Sequence, residues 1–255
     1  MIDVTNYRSK TDEEIAFIRR AQEITDAAFA MVIPKIKQGM TEIDIAKLIE
    51  SSLEFCGSEG MAFPVIVGFG KNALDPHAAP TTRKLKPGHM ILMDFGAKYK
   101  GYCADMTRTV AFKHATETQK RIYNAVLEAQ INTILQLKAG AVCEEIHLFA
   151  KEELARHNLA CYFTHGTGHG VGQQVHEAPS FHRYDKNCPK DIPLAEYKKT
   201  GTRLLHNSVV TVEPGVYYNT WFKKIGVRIE DLILITDKGV ENLTKSPKEL
   251  LVVGE

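Results

Sequence analysis

With 255 residues, 44% of them hydrophobic and 25% charged, the chain has the make-up of a soluble globular protein, long enough for one large domain or two small ones. Its formal net charge of +1 gives no electrostatic case for nucleic acid or a membrane surface as partner. Cys56, Cys103, Cys143, Cys161 and Cys188 form no CxxC pair, and their odd number argues against a complete disulfide framework, so reduced thiols and a cytoplasmic setting are expected.

Met1-Ile2-Asp3-Val4-Thr5-Asn6 has neither the basic region nor the apolar core of a signal peptide, and no apolar stretch approaches the ~20 residues needed to span a bilayer. Thr11-Asp12-Glu13-Glu14 reads as a capping box, followed at helical spacing by Ile15, Ile18, Ala21, Ile24 and Ala28. A second helix starts at Thr41, carries Ile45, Leu48, Ile49 and Leu53 on one face, and stops near Gly57. Strand-like runs follow at Phe63–Phe69, Met90–Phe95 and Tyr102–Phe112. Two further helices are expected over roughly Thr116–Lys138 and Cys143–His157, and strands and loops from there to the end. Each half thus has two helices and then a hairpin-like strand pair bearing two carboxylates, a rough internal duplication. No Pro/Gly/Ser-rich linker divides the chain, so residues 1–255 are read as one domain. Ser180–Ser208, polar and without a clean period, is either a functional loop or a plain surface insertion.

The chemistry concentrates in five residues. Asp94 ends the apolar run Met90-Ile91-Leu92-Met93, and Asp105 follows 11 positions later (105 − 94). His169 lies in the glycine-rich His165-Gly166-Thr167-Gly168-His169-Gly170-Val171-Gly172, Glu213 in Val212-Glu213-Pro214-Gly215, and Glu230 in Arg228-Ile229-Glu230-Asp231. Carboxylates at the ends of apolar strands are expensive to bury unless a cation neutralises them. Four such charges balance two divalent ions, and a neutral imidazole makes a fifth ligand: the stoichiometry of a two-metal hydrolase. An oxygen-rich set favours harder ions such as Mn²⁺. Singly, each acid has a dull reading as a turn or surface charge; together, in these contexts, they do not. His77, His165 and His176 are candidates to hold a substrate carbonyl or move protons. His89, His114, His147, His157, His182 and His206 are taken as packed or solvated rings. The glycines are expected to leave room for close backbone approach to a ligand or metal.

On these motifs, from about Lys10 to Leu250, the chain resembles the catalytic domain of the pita-bread metallopeptidases, which include methionine aminopeptidases, Xaa-Pro aminopeptidases and Xaa-Pro dipeptidases. The resemblance implies an α+β pita-bread (creatinase/aminopeptidase) fold, two pseudo-symmetric halves each with helices outside a curved antiparallel sheet. It implies that Asp94 chelates one ion, that Asp105 and Glu230 bridge, and that His169 and Glu213 complete the other. It makes Glu213 the proton acceptor for a metal-bridging water, and His77 and His176 substrate contacts. Arg228, two positions before the last ligand, and His165, four before His169, are similar to the prolyl branch, with Arg228 expected to orient the bridging Glu230. The N-terminal domain usual in that branch is expected to be missing. The function implied is a dinuclear exopeptidase cleaving an N-terminal Xaa-Pro bond. The cofactors implied are two divalent ions, Mn²⁺ first, with Co²⁺, Fe²⁺ and Zn²⁺ as alternatives. Its partner would be a peptide with a free N-terminus, with homodimerisation left open. The alternatives are removal of N-terminal methionine, a non-catalytic peptidase-like binding module, and creatinase-like amidine hydrolysis.

Overall fold

The computed structural model describes residues 7–181, 201–221 and 223–254; His182, Cys188 and most of the Ser180–Ser208 segment lie outside them. Helix α1 (Asp12–Val32) begins as its sequence requires: Thr11 Oγ1 accepts from the Glu14 N–H at 3.2 Å while Glu14 takes the Thr11 N–H at 2.7 Å. All five residues of its expected apolar stripe are buried. The same reciprocal cap, made by Thr41 and Asp44, starts α2 (Glu42–Phe55).

The first sheet is built from β1 (Ile66–Phe69), β2 (Met90–Phe95) and β5 (Met106–Phe112), antiparallel in the order β1-β2-β5. The short hairpin β3 (Lys98–Tyr99) and β4 (Tyr102–Cys103) sits between β2 and β5. Two expected strands are shorter than their sequence suggests. The first starts only at Ile66, since Pro64 has no N–H for a ladder. The run Tyr102–Phe112 is interrupted at Ala104-Asp105, where the chain turns against Gly96; a Cβ on Gly96 would lie 1.8 Å from the Ala104 carbonyl oxygen. That break is where Asp105 sits.

Helix α3 (Glu117–Ile134) is capped by Thr116, and α4 (Cys143–Arg156) follows. α3 stops short of Lys138 because its last turn tightens, with the Gln136 and Leu137 N–H groups bonding three residues back. The second sheet contains β6 (His169–Gly170), β7 (Glu177–Ser180), β8 (Val209–Val212), β11 (Asp231–Thr236) and β12 (Gly239–Asn242) in the order β12-β11-β8-β6-β7. Between β8 and β11 runs a hairpin, β9 (Gly215–Asn219) and β10 (Lys224–Arg228). The final strand, β13 (Val252–Val253), returns to the first sheet and pairs parallel to β5.

The duplication expected from the sequence is therefore present, with two helices against an antiparallel sheet in each half. Ile24, Phe29, Ile45 and Ile49 pack on Val67, Ile91, Met93 and Val110. Ile134, Leu137 and Ile146 pack on Val210, Val212, Ile233 and Ile235. The halves are knitted together by the start of α1, whose Ile15 and Ile18 meet Val209, Leu232 and Leu234 of the second sheet. β2, β5 and β8 are buried along their whole length. β2 reads as an apolar run ending near Asp94 and β8 is apolar apart from Thr211, whereas β5 carries Thr107, Arg108 and Thr109 among its apolar residues. No helix among the described residues is long and apolar enough to cross a membrane.

One side chain unremarked in the sequence fastens the first half. Glu42 is fully buried at the start of α2 and accepts from the Phe69 N–H at 2.7 Å, Asn72 Nδ2 at 2.9 Å, the Thr81 N–H at 3.0 Å and Thr81 Oγ1 at 2.5 Å. The helix N-terminus favours its negative charge. It thereby pins both ends of the loop that carries Pro76 and His77. Glu42→Ala is expected to lower stability by about 3 kcal/mol, since several buried donors lose their acceptor, and Glu42→Gln by less. Urea denaturation measures both.

Candidate active site

The five ligand-type residues sit at strand ends that point to one place. Asp94 is the penultimate residue of β2, and Asp105 immediately precedes β5. In the second half Glu213 immediately follows β8 and Glu230 immediately precedes β11, while His169 opens β6. All five line one cavity of about 610 Å³, together with His77, His165, His176 and Arg228. The side-chain donors of Asp105, His169 and Glu230 lie within 4.8 Å of one another. His169 Nε2 is 3.3 Å from Glu213 Oε1 and 3.7 Å from Asp105 Oδ2. Its Nδ1 lies 3.1 Å from the Gly170 carbonyl, to which it donates, leaving Nε2 to face the acids.

Glycines allow this convergence: Gly166 and Gly168 line the cavity, and Gly168 and Gly170 also admit close contacts between strands. A Cβ on Gly168 would stand 2.0 Å from the Thr211 carbonyl oxygen, and one on Gly170 would stand 2.3 Å from that of Ala178. The tight approach at these positions is therefore between neighbouring strands of the sheet, and it seats His169 beside Thr211. The Thr211 hydroxyl accepts from the His169 N–H at 3.0 Å and donates to Glu213 Oε1 at 3.3 Å.

Three buried carboxylates, Asp94, Asp105 and Glu230, and the half-buried Glu213 face one guanidinium. Burial, reinforced by repulsion from Glu230 and Asp94, raises Asp105 well above the carboxylate range. Burial and the charges of Glu213 and Asp94 do the same to Glu230. Asp94 is raised by burial against the pull of Arg228. Burial would also raise Glu213, but the hydrogen bond and charge of His169, with His165 and Arg228, hold it down to about 2. Burial depresses His165 and His176 to about 4, so both rings are neutral near pH 7.

This donor set fits divalent metal. Asp94 Oδ1 is buried and has no hydrogen-bond partner among the described residues. Such an atom is costly to bury unless something positive meets it. The crowding that raises Asp105 and Glu230 is relieved by the same means. Asp94, Asp105, Glu213 and Glu230 with His169 Nε2 could hold such ions.

Arg228 lies elsewhere than expected. Its Nη2 meets Asp94 Oδ2 at 2.5 Å, and it reaches Glu230 only through Thr107, whose hydroxyl accepts from Arg228 Nε at 3.0 Å and donates to Glu230 Oε2 at 2.7 Å. The reach is set by the fold: Arg228 ends β10, inside the hairpin that leans on β2, whereas Glu230 turns toward β5. Arg228 Nη1 also donates to the Pro76 carbonyl at 3.3 Å and to the Tyr217 hydroxyl at 2.7 Å. Tyr217 in turn donates to His165 Nε2 at 2.8 Å, and His165 Nδ1 donates to the Gly166 carbonyl at 2.7 Å. Both His165 nitrogens are thus engaged, so this ring supports the wall of the cavity in place of the free contact to a substrate carbonyl that was expected. His176 packs edge-on against His169 with ring centres 4.3 Å apart, and His77 lies exposed at the rim, its N–H on Asp75 Oδ1 at 2.9 Å. Thr107, Thr211 and Tyr217 were missed in the sequence. The threonines leave one signal, hydroxyls inside otherwise apolar buried strands; Tyr217 leaves none.

Residues 16–237 match the model of metallopeptidase family M24. The chain is 36% identical over 242 residues to the Xaa-Pro dipeptidase of Pyrococcus furiosus, a stretch covering 95% of this chain and 64% of that protein. A solved Xaa-Pro dipeptidase from Bacillus anthracis matches with a TM-score of 0.86 at 36% identity, over 96% of this chain and 64% of the other. The X-Pro aminopeptidase from Thermotoga maritima MSB8 matches with a TM-score of 0.86 at 34% identity, over the same 96% and 64%. The chain thus spans just under two thirds of the length of these relatives.

Proposed function

This chain belongs to metallopeptidase family M24, and from that premise we propose that it is a dinuclear exopeptidase that cleaves the first peptide bond of substrates with a free N-terminus, Xaa-Pro bonds by preference. The observation that carries the reading is the meeting of Asp94, Asp105, His169, Glu213 and Glu230 on one cavity, with no second role visible for so many buried acids. In this reading Asp94, Asp105, His169, Glu213 and Glu230 would together hold the two ions. Two bound divalent ions, Mn²⁺ first for an oxygen-rich set, would polarise the scissile carbonyl and lower the pKa of water.

The chain's own groups do the rest. Glu213 Oε1 accepts from the Thr211 hydroxyl, which leaves Oε2 to take the proton of the attacking water and pass it to the leaving nitrogen. His77 and His176 border the space a carbonyl oxygen would fill, and the neutral ring of His176 can donate to it as charge develops. Arg228, Tyr217 and His165 hold Asp94 and the adjoining wall in place. A prolyl nitrogen has no N–H to offer, so a ring must be recognised by shape. Phe63, Pro64 and Ile66 supply an apolar wall of that kind. A reducing, cytoplasmic setting fits the free thiols of Cys56, Cys103, Cys143 and Cys161.

The test is kcat/KM with Mn²⁺ or Co²⁺ for Xaa-Pro dipeptides, Xaa-Pro-Xaa tripeptides and Met-Ala-Xaa peptides, because that ratio reports differential transition-state binding. Xaa-Pro substrates are expected to lead. A tenfold preference for Met-Ala, about 1.4 kcal/mol, overturns this in favour of a methionine aminopeptidase. Metal uptake without hydrolysis of any peptide points to a binding module.

A further inference from the structure

On the face of β5 and β11 turned away from the cavity lies a second charged cluster that the chemistry above does not use. Side chains alternate along a strand, so with Asp105 and Thr107 toward the site Arg108 points behind it, as Asp231 does next to Glu230. Arg108 is 1% exposed and Asp231 fully buried. Every N–H of the Arg108 guanidinium is used. Nε donates to the Pro247 carbonyl at 2.9 Å, Nη1 to the carbonyls of Glu230 at 2.6 Å and Thr107 at 3.0 Å, and Nη2 to Asp231 Oδ1 at 2.7 Å and the Ser246 carbonyl at 2.8 Å. Asp231 Oδ2 accepts from Gln130 at 2.9 Å, Asn242 at 2.7 Å and Lys248 at 2.8 Å.

The cluster grips the backbone of the two residues whose side chains meet in the site. Arg108 holds the Glu230 and Thr107 carbonyls, the Glu230 N–H donates to the Thr107 carbonyl at 3.1 Å, and in front the Thr107 hydroxyl holds Glu230 Oε2. Glu230 is crowded by other acids, so left to itself it would turn away from them. We propose that the buried Arg108–Asp231 pair is a positioning device that keeps the Glu230 and Thr107 backbones aligned so that Glu230 presents its carboxylate to divalent metal. This rests on the metallopeptidase reading. Neither residue touches substrate or metal; they act through Glu230.

The test uses the full chain, stripped of metal and titrated calorimetrically with Mn²⁺, with the visible absorption of the Co²⁺-loaded protein as a second readout. Asp231→Asn keeps the shape and removes the charge; Arg108→Lys keeps the charge and removes the planar fork. Both are expected to bind Mn²⁺ about 10–100-fold more weakly and to change the Co²⁺ spectrum. Gln130→Leu, which leaves the Arg108 fork intact, should shift affinity in the same direction by less, and decides the matter if the other two do not fold. Leu154→Ala, a fully buried core position of α4, serves as the control: it should lower Tm but leave Mn²⁺ affinity unchanged. Variants that lose Tm as the control does, yet bind Mn²⁺ within twofold of the parent with an unchanged Co²⁺ spectrum, overturn the proposal and make the pair a structural tie. A parent protein that takes up no Mn²⁺ overturns the metallopeptidase reading instead, and the positioning role with it.

Discussion

Replacing Glu213 with glutamine is expected to reduce single-turnover peptide hydrolysis by about 10²–10⁴-fold, the range over which a general base contributes, while leaving the fold intact. The amide is nearly isosteric, keeps one acceptor for the Thr211 hydroxyl, and cannot take a proton from water. Glu213 follows β8 directly and its N–H donates to the Thr167 carbonyl at 2.8 Å, so the backbone there is held independently of the side chain. Because the same residue is read as a ligand, metal content must be measured alongside the rate. Full metal occupancy with near-parental turnover would remove Glu213 from the base role. Occupancy lost in parallel with activity would assign its effect to ligation.

Adding Mn²⁺ to metal-free protein should raise its thermal midpoint by roughly 8–16 °C at a thousandfold excess over Kd, from about 4 kcal/mol of binding linkage and 2–4 °C per kcal/mol for a domain of this size. The gain should be larger at pH 8 than at pH 6. Asp105 and Glu230 have raised folded pKa values, through burial first and then the neighbouring acids. The folded state therefore keeps protons that the unfolded chain has released, so metal-free stability falls as pH climbs from the ordinary carboxylate range through the folded values. His169 has the same sign. Burial opposes its charged form, but Glu213 raises it overall, so its contribution is complete below the ordinary histidine range and is lost as pH rises through the folded value. Mn²⁺ replaces these protons, and at low pH it must compete with them. Calorimetric scans with and without Mn²⁺ at the two pH values decide it; a gain that shrinks toward pH 8 contradicts the assignment of these residues as ligands.

The division of labour around Arg228 shows why the site was only partly legible. Its identity and its place two residues before Glu230 were plain in the chain, yet its ion pair is with Asp94, 134 residues away in sequence. The resemblance pointed to Glu230, two positions on, but residues i and i+2 share a face only while the strand stays regular. β10 ends at Arg228 and β11 begins at Asp231, so Glu230 falls in the break between them. Thr107 then bridges the gap. Around His169, Gly168 and Gly170 pass close to strand carbonyls, and Gly166 and Gly168 also line the cavity. A sequence shows that something must come close, but a strand carbonyl and a ligand leave the same mark.

What the sequence determined by itself was everything written within a few residues. Thr11, Thr41 and Thr116 start helices because a hydroxyl and a carboxylate or amide three positions on satisfy free N–H groups locally. The strands are legible because burial on both faces favours apolar residues, as in Met90–Met93 of β2, and the ligands because acids at the ends of such strands require compensation. From these came the rough internal duplication and the five ligand-type residues on the cavity, while the pita-bread architecture followed from the resemblance to the metallopeptidases. Only the tertiary structure decided which of those residues touch. Partner choice for Arg228, the chain through Tyr217 to His165, and the Arg108–Asp231 pair behind Glu230 join segments 11 to 152 positions apart. A contact over such distances depends on strand register, on where strands break, and on side-chain rotamer. Those are set by the packing of the two sheets and their helices, and no local pattern encodes them.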